Sequence, residues 1–468
     1  MAHNNKQVHR DLKQGHLGRL LVATVGLPGR GKSLLARRIC RYLNYTRNNC
    51  KVFDISEYRR KHYDHYDSHE MFKEDNRPAW EVRQLSFQEA LNDAVDWLLE
   101  DDRCANSAID LNCIQVAILD GPNVCRRQRQ IILDQTHAAG VQLLFIECVC
   151  EDSLLLEMHF KSILAHSVDY RHMPIEMALE DLRAKMDHYE EQYETPSIGQ
   201  RAENACSTVK LLDDGYGGVL AHGVTGVQCL ILGYIATPKP LQQTLYFSRH
   251  GESEFNVLGR IGGDAGLSPR GAKYAEVLSN HLKALNLQNL QIWTSTLKRT
   301  KATVAHMNVP KKHFHALDEL YSGQCEACSY EELLELHPKE LAMRDADKLQ
   351  YRYPQGESYV DVMTRLMPVL QQLETENNVL VVGHQAVLRC VLAYFLGTPA
   401  EDIPYMKVPL HTLIKLTLRG YEYTMETVKM PVDCVDTNRC KPMNCDVTRS
   451  KDEVLKTIPQ HFDSLVQL

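Results

Sequence analysis

The chain lacks any long hydrophobic run. Its longest apolar stretch, Cys229 to Ala236, falls far short of the roughly 20 residues a bilayer-spanning helix needs, so no membrane role is expected. It has no excess of positive charge either: 53 Lys and Arg stand against 60 Asp and Glu, a net charge of −7. Nucleic-acid binding is not expected on that balance, and any cationic site must be local. The opening residues, Met1 to His16, are polar and carry no apolar core of a secretory leader. The 15 cysteines show no framework spacing. Cys325-x-x-Cys328 has no second pair, and Cys434, Cys440 and Cys445 have no neighbouring histidines, which argues against zinc. Free thiols in a reducing cytoplasm are the expectation. Repeats of solenoid length are missing too.

What is present is length enough for two domains, each with its own core, and an alternation of strand-like and helical stretches. Leu20 to Val25 reads as a strand, followed by helical spacing at Leu35, Ile39 and Leu43. Ser86 with Glu89 reads as a capping box opening a helix through Leu99. Ile114 to Leu119 and Leu143 to Val149 read as buried strands, and Met177 to Glu194 as a charged helix. Thr237-Pro-Lys-Pro240 marks the domain boundary. Beyond it come strands Leu245 to Ser248, Leu290 to Trp293 and Val379 to Val382, with helices over Tyr359 to Leu373 and Ala386 to Leu396. The expectation is α/β throughout: two doubly wound domains over residues 1–238 and 239–430, and a partly disordered tail over 431–468. Ser450 with Glu453 reads as a capping box in that tail.

Gly26-Leu-Pro-Gly29-Arg30-Gly31-Lys32-Ser33 fits the Walker A pattern, placed after a strand and before a helix as that pattern requires. Its glycines let backbone N–H groups wrap a phosphate, Lys32 offsets the outer phosphates of ATP, and Ser33 can ligate Mg²⁺. Asp120, at the end of the Ile114 to Leu119 strand, suits the acidic residue that holds the metal or accepts a proton.

In the second half, Arg249-His250-Gly251-Glu252 closes one strand and Gly383-His384-Gln385 closes another. An imidazole nucleophile beside a guanidinium suits phosphoryl transfer through histidine, the guanidinium holding the phosphate oxygens by paired hydrogen bonds. Asn256 and the Gly262-Gly263 loop follow close behind, and glycine lets backbone approach a phosphate.

A phosphate loop followed by an Arg-His-Gly domain resembles the bifunctional 6-phosphofructo-2-kinase/fructose-2,6-bisphosphatase family. The likeness runs over roughly residues 20 to 430. It is carried by Arg249-His-Gly-Glu-Ser-Glu, Gly259-Arg-Ile-Gly-Gly-Asp264, Gly266-Leu-Ser-Pro-Arg-Gly271, Trp293-Thr-Ser, Lys298-Arg-Thr300, Tyr351-Arg-Tyr-Pro and Gly356-Glu-Ser-Tyr359. The resemblance implies a P-loop kinase-like domain and a phosphoglycerate-mutase-like histidine phosphatase domain. It makes His250 the phosphorylated nucleophile and Glu319 the acid that protonates the leaving oxygen. Arg249, Arg299, Asn256 and His384 would grip the phosphoryl group, with Gly262 in the loop beside them. Tyr330, Arg344, Lys348, Tyr359, Gln385 and Arg389 would hold the sugar and its second phosphate. It further implies fructose 2,6-bisphosphate, fructose 6-phosphate and ATP-Mg²⁺ as ligands, no metal in the phosphatase half, and a homodimer.

Tyr58-Arg59-Arg60, Arg83, Asp169-Tyr170 and Tyr189 resemble the family's fructose 6-phosphate site in the kinase half. Five other positions depart from it. The family's Ala-Thr-Asn-Thr-Thr-Arg-Glu-Arg is here Gly121-Pro-Asn-Val-Cys-Arg-Arg-Gln128, so Pro122 and Val124 replace sugar-binding hydroxyls and Gln128 replaces an arginine. The family's Asn-Ile-Val-Gln-Val-Lys aligns with His159-Phe-Lys-Ser-Ile-Leu164, which puts Leu164 at the catalytic lysine and leaves Lys161 one turn earlier. Lys185 stands for a further arginine. Unpaired sugar hydroxyls cost about 1–3 kcal/mol each, and a missing cation on the phosphoryl group costs several powers of ten in rate. Kinase activity is therefore expected to be weak or lost. Two further readings stay open: a non-catalytic nucleotide-sensing first half, and a broader sugar-phosphate phosphatase or mutase of the Arg-His-Gly class.

Overall fold

A computed structural model describes residues 18–63, 66–100, 114–196 and 206–458. The chain divides into two compact units, the first running to Leu241 and taking in Arg419–Tyr421, the second made of the rest from Gln242 onward. No helix among the described residues is long and apolar enough to cross a membrane.

The first unit is built on six strands: β1 (Arg19–Val25), β2 (Asn49–Asp54), β3 (Gln115–Asp120), β4 (Gln142–Val149), β5 (Ser207–Leu212) and β6 (Gly218–His222). They lie in the order β2-β3-β1-β4-β5-β6. β1 to β5 pair in parallel, and β6 is antiparallel at the edge. Every residue of β3 is buried, as a parallel strand covered on both faces demands. The helices are α1 (Lys32–Tyr45), α2 (Ile55–His62), α3 (Arg77–Leu99), α4 (Arg126–Ala138), α5 (Ser153–His166), α6 (Ile175–Glu190) and α7 (Val227–Ile235). α3 lays Phe87, Ala90, Leu91, Ala94 and Leu98 against Leu21, Ala23, Ala117 and Leu119 of the sheet.

α3 corrects one expectation. It starts at Arg77, capped by Asn76 Oδ1 on Ala79 N, with Pro78 in its first turn. Ser86 lies inside the helix, its hydroxyl bonded back to Val82 O at 2.7 Å. Proline needs no hydrogen-bond partner at a helix start, so the true start preceded the Ser86-Glu89 pattern.

The second unit carries β7 (Thr244–Arg249), β8 (Gln291–Thr294), β9 (Lys311–His313), β10 (Val379–Gly383), β11 (Thr412–Arg419) and β12 (Glu422–Lys429), in the order β12-β11-β7-β10-β8-β9. β7, β10, β8 and β9 pair in parallel, and β11 runs antiparallel to β7. Its helices are α8 (Glu254–Val257), α9 (Pro269–Ala284), α10 (Lys298–Thr303), α11 (Tyr330–Leu336), α12 (Pro338–Ala346), α13 (Tyr359–Leu373), α14 (Gln385–Leu396) and α15 (Lys451–Leu455). Trp293 and Phe247 are fully buried in this sheet.

Of the tail after Met430, expected to be partly disordered, the structure describes residues 431–458. Residues 431–458 pack onto the second unit: Val435 N donates to Glu252 Oε2 at 2.9 Å, and Arg449 bonds Asp345 at 2.6 Å. Ser450 caps α15 with Glu453 in a reciprocal box, and Val454 enters a core cluster with Leu333, Leu341 and Tyr353. The remainder of that tail, 459–468, lies outside the described residues.

Candidate active site

Strand register places the two histidines side by side. β7 and β10 are parallel neighbours with Arg249 opposite Gly383, so the next residue of each chain, His250 and His384, emerges at the same carboxyl edge. Ligands gather at that edge in such sheets. His250 N bonds Gly383 O at 3.0 Å, and the two rings lie 5.2 Å apart. Both side chains are almost fully buried.

His250 Nδ1 lies 2.7 Å from Gly251 O. A carbonyl only accepts, so Nδ1 carries the hydrogen and Nε2 keeps a lone pair. Burial, then Arg299 and Arg249, push the imidazole pKa well below its ordinary value, which keeps the nucleophile neutral. His384 Nε2 is 2.7 Å from Ser295 Oγ, and Ser295 in turn meets Thr300 Oγ1. Burial, then Arg299 and His250, lower the His384 pKa in the same way. His384 Nδ1 and Arg249 Nε are buried with no hydrogen-bond partner among the described residues. Such groups cost about 1–3 kcal/mol when left unpaired, which is what a site awaiting an oxyanion looks like.

The two arginines are held by carbonyls and a hydroxyl rather than by carboxylates. Arg249 Nη1 donates to Val408 O at 3.1 Å and to Thr437 Oγ1 at 2.6 Å, and burial lowers its pKa to about 10. Arg299 Nη1 donates to Gly263 O at 2.5 Å. Glu319 accepts backbone N–H bonds from Leu320, Ala386 and Gln385 at 2.9, 3.2 and 3.1 Å. That fixes its carboxyl at the start of α14, on the rim of the same cavity. Asn256 closes the capping box of α8 through Oδ1, which accepts from Ser253 N and Oγ. Gly262 sits at φ +64°, a left-handed conformation that strains any residue with a side chain, and a Cβ there would also displace the Glu326 carboxylate 2.4 Å away.

Arg249, His250, Asn256, Gly262, Arg299 and Glu319 line a cavity of about 160 Å³ together with Tyr330, Arg344, Lys348, Tyr359, Gln385 and Arg389. Arg344 reaches Tyr353 OH at 2.6 Å and Tyr330 OH at 3.2 Å, and Arg389 reaches Tyr359 OH at 3.0 Å. Lys348 Nζ donates to Pro404 O at 3.0 Å. Burial, then Arg389, Arg344 and Arg439, push the Lys348 pKa well below the usual lysine range. Such crowding of cations favours an anion between them. Sequence reasoning missed Arg439 and Thr437 in the lining, as well as Ser295 behind His384. Ser295 stood in the Trp293-Thr-Ser motif, whereas the other two sit in a stretch without periodicity.

In the first unit the loop from Gly26 to Gly31 joins β1 to α1, which Lys32 and Ser33 open, and Gly26 N bonds Pro122 O just past the end of β3 at 2.9 Å. Gly26, at φ +137°, would place a Cβ 2.4 Å from Cys148 O, so only glycine fits. Gly29 and Gly31 also adopt positive φ. Lys32 Nζ donates to Leu27 O at 2.6 Å, and burial lowers its pKa to about 8. Arg30 Nη1 stays near the loop, 3.4 Å from Pro28 O. Asp120 is 2% exposed, and burial, then Asp54, raise its carboxyl to about 6 against a hydrogen bond from Ser33.

The structure gathers Arg59, Arg83, Lys185 and Tyr189 around Phe72. Arg59 is committed to Asp169, Nη2 to both oxygens at 2.7 and 2.6 Å, and Arg83 to the carbonyls of Phe72 and Lys73 at 2.8 and 2.9 Å. Leu164 packs against the cluster of Phe160, Tyr170, Ala178 and Leu182. Lys161 does not take its place: its side chain is 69% exposed and pairs with Glu157 at 2.7 Å. Arg127, beside Gln128, is exposed.

Comparison with known proteins divides the chain in two as well. Residues 8–236 match 6-phosphofructo-2-kinase, and residues 245–430 match the histidine phosphatase superfamily (branch 1). The 6-phosphofructo-2-kinase/fructose-2,6-bisphosphatase of Aquarana catesbeiana is 38% identical over 442 residues, 94% of this chain and 91% of that protein. The Homo sapiens 6-phosphofructo-2-kinase/fructose-2,6-bisphosphatase 1 is likewise 38% identical over 442 residues, with the same shares covered. Identity at that level, running through both the phosphate loop and the paired histidines, makes this chain a member of the 6-phosphofructo-2-kinase/fructose-2,6-bisphosphatase family.

Proposed function

We propose that the chain hydrolyses fructose 2,6-bisphosphate to fructose 6-phosphate and phosphate through a phosphohistidine on His250. The observation that carries this reading is the pair of register-matched strand ends, with unpartnered Arg249 Nε and His384 Nδ1 beside a neutral His250. His250 Nε2 attacks phosphorus as the bond to the sugar's 2-oxygen breaks, and Glu319 delivers a proton to that oxygen. Water then attacks phosphorus as the P–Nε2 bond breaks, its proton passes to the Glu319 carboxylate, and phosphate leaves with the His250 lone pair restored. Arg249, Arg299, Asn256 and His384 stabilise charge on the equatorial oxygens throughout, so the site requires no metal. Tyr330, Arg344, Lys348, Tyr359, Gln385 and Arg389 hold the sugar and its 6-phosphate. Brief incubation with substrate labelled in the 2-phosphate, quenched in alkali, should leave acid-labile label on the chain. Undiminished label in His250→Ala would refute the mechanism.

The first half binds ATP through Gly26, Gly29, Arg30, Gly31, Lys32 and Ser33. The residues present fit a nucleotide-bound Mg²⁺, because Asp120 Oδ2 is buried without a partner among the described residues. Ser33 and Asp120 would hold the ion, which offsets charge on the outer phosphates when bound. Transfer to fructose 6-phosphate is nonetheless weak or lost, since Leu164 is packed among apolar side chains and Lys161 points to solvent. That arrangement keeps a nucleotide-sensing role open for this half. We place the protein in the cytoplasm as a homodimer, the first on the free thiols of its described cysteines, the second on the family resemblance alone.

A further inference from the structure

Several side chains of the phosphatase site are held from the C-terminal segment. Arg249 Nη1 donates to Thr437 Oγ1 at 2.6 Å, Gln385 Nε2 to Thr437 O at 3.4 Å, and Arg389 Nη2 to Asn438 Oδ1 at 3.2 Å. Arg439 is 4% exposed. Its guanidinium lies 4.7 Å from the centre of the Tyr330 ring, close enough for a cation–π contact. Its two Nη atoms grip Asp345 at 2.6 and 2.9 Å, and Arg344 Nη1 reaches the same carboxylate at 3.1 Å. Thr437 and Arg439 both line the cavity. The segment is itself fastened on either side, by Val435 N to Glu252 and by Arg449 to Asp345.

We propose that Thr437 and Arg439 are positioning residues for the two ends of the substrate, an inference that rests on the bisphosphatase reading above. Thr437 accepts from Nη1 and thereby fixes the rotation of the Arg249 guanidinium, whose Nε is left for the transferred phosphoryl group. Its loss lets that guanidinium swing, which weakens charge stabilisation as the phosphorus bonds change and lowers kcat. Arg439 acts at the other end. It stacks on Tyr330 and shares Asp345 with Arg344, so its loss loosens two groups that hold the 6-phosphate and raises KM. A segment that only stabilised the fold would lower the apparent kcat in step with the folded fraction read by the melt and leave KM unchanged, so a kcat loss in a fully folded Thr437 variant and a KM rise in an Arg439 variant both lie outside it.

The test uses the full-length chain, with steady-state hydrolysis of fructose 2,6-bisphosphate and a thermal melt for each variant. Thr437→Val, which keeps the shape and removes the acceptor, should lower kcat about tenfold or more with KM within about twofold, and Thr437→Ser should restore it. Arg439→Gln should raise KM about tenfold or more with kcat within about twofold. If Arg439→Gln melts below the assay temperature, Arg439→Lys carries the test, since it keeps a charge over Tyr330 but loses the two-pronged grip on Asp345. It should still raise KM. A wild-type kcat in Thr437→Val, a Ser variant no better than the Val variant, or an unchanged KM in the Arg439 variant overturns the inference alone. A wild-type chain that does not hydrolyse the substrate overturns the bisphosphatase reading and the inference with it.

Discussion

Replacing Asp345 by asparagine isolates the most concentrated charge cluster in the second unit. The carboxylate is 2% exposed and is gripped by Arg439 at 2.6 and 2.9 Å, Arg449 at 2.6 Å and Arg344 at 3.1 Å. Burial alone would raise its pKa, but Arg344 and Arg439 outweigh it and hold the group below the usual carboxylate range. Asparagine preserves the volume and removes the charge, leaving buried guanidinium groups without their counter-ion. Breaking a buried pair from one side costs about 3–5 kcal/mol. With a urea slope of about 2 kcal/mol per molar, the midpoint should fall by about 2 M. Trp293, fully buried in the second sheet, reports that unit alone once Trp80 and Trp97 are replaced by Phe. The sign with pH follows from the depressed pKa. The carboxylate's contribution is complete above the unfolded value of about 3.9, and it is lost as pH falls through the lower folded value. The gap between wild type and Asp345→Asn should therefore hold steady from pH 8 to 5 and shrink only below about 4. A midpoint shift worth less than about 1 kcal/mol at pH 7 would show that the cluster is screened like a surface pair.

Glu319→Gln should slow phosphoenzyme formation by about 10²–10⁴-fold, read by rapid quench, while substrate binding changes little; a near-normal single-turnover rate would assign the proton to another group. A chain ending at Met430 should lose hydrolysis, because Thr437, Arg439 and Arg449 leave with the tail; a truncated chain as active as the full one would contradict the packing. Ser358→Ala removes one half of the capping box that opens α13 and should cost about 0.5–2 kcal/mol by urea unfolding.

The strand ends were legible because their chemistry is contiguous: Gly26 to Ser33, Arg249 to Glu252 and Gly383 to Gln385 each sit between an apolar run and a helical pattern. Register was not legible, yet register is what brings His250 beside His384. The start of α3 was misread because Ser86 and Glu89 satisfy a local pattern that Asn76 and Pro78 had already fulfilled a few turns earlier. The packing of residues 431–458 was not legible for a different reason. Residues 431–450 have neither a helical nor a strand period, and their order comes from individual bonds, such as Arg449 to Asp345 and Val435 to Glu252, between positions remote in sequence. Lys161 was a plausible substitute for the lysine missing at Leu164 by spacing alone. Direction decided it: three residues turn α5 by only about 300°, which leaves Lys161 offset from Leu164 and turned to solvent beside Glu157.

Paired assays on the purified full-length chain test the central claim most directly: release of fructose 6-phosphate from fructose 2,6-bisphosphate, and formation of fructose 2,6-bisphosphate from ATP-Mg²⁺ and saturating fructose 6-phosphate. The account predicts hydrolysis that His250→Ala abolishes, beside ATP binding with transfer far below the usual kinase range of about 1–100 s⁻¹. Transfer within that range, or hydrolysis that survives His250→Ala, would contradict it.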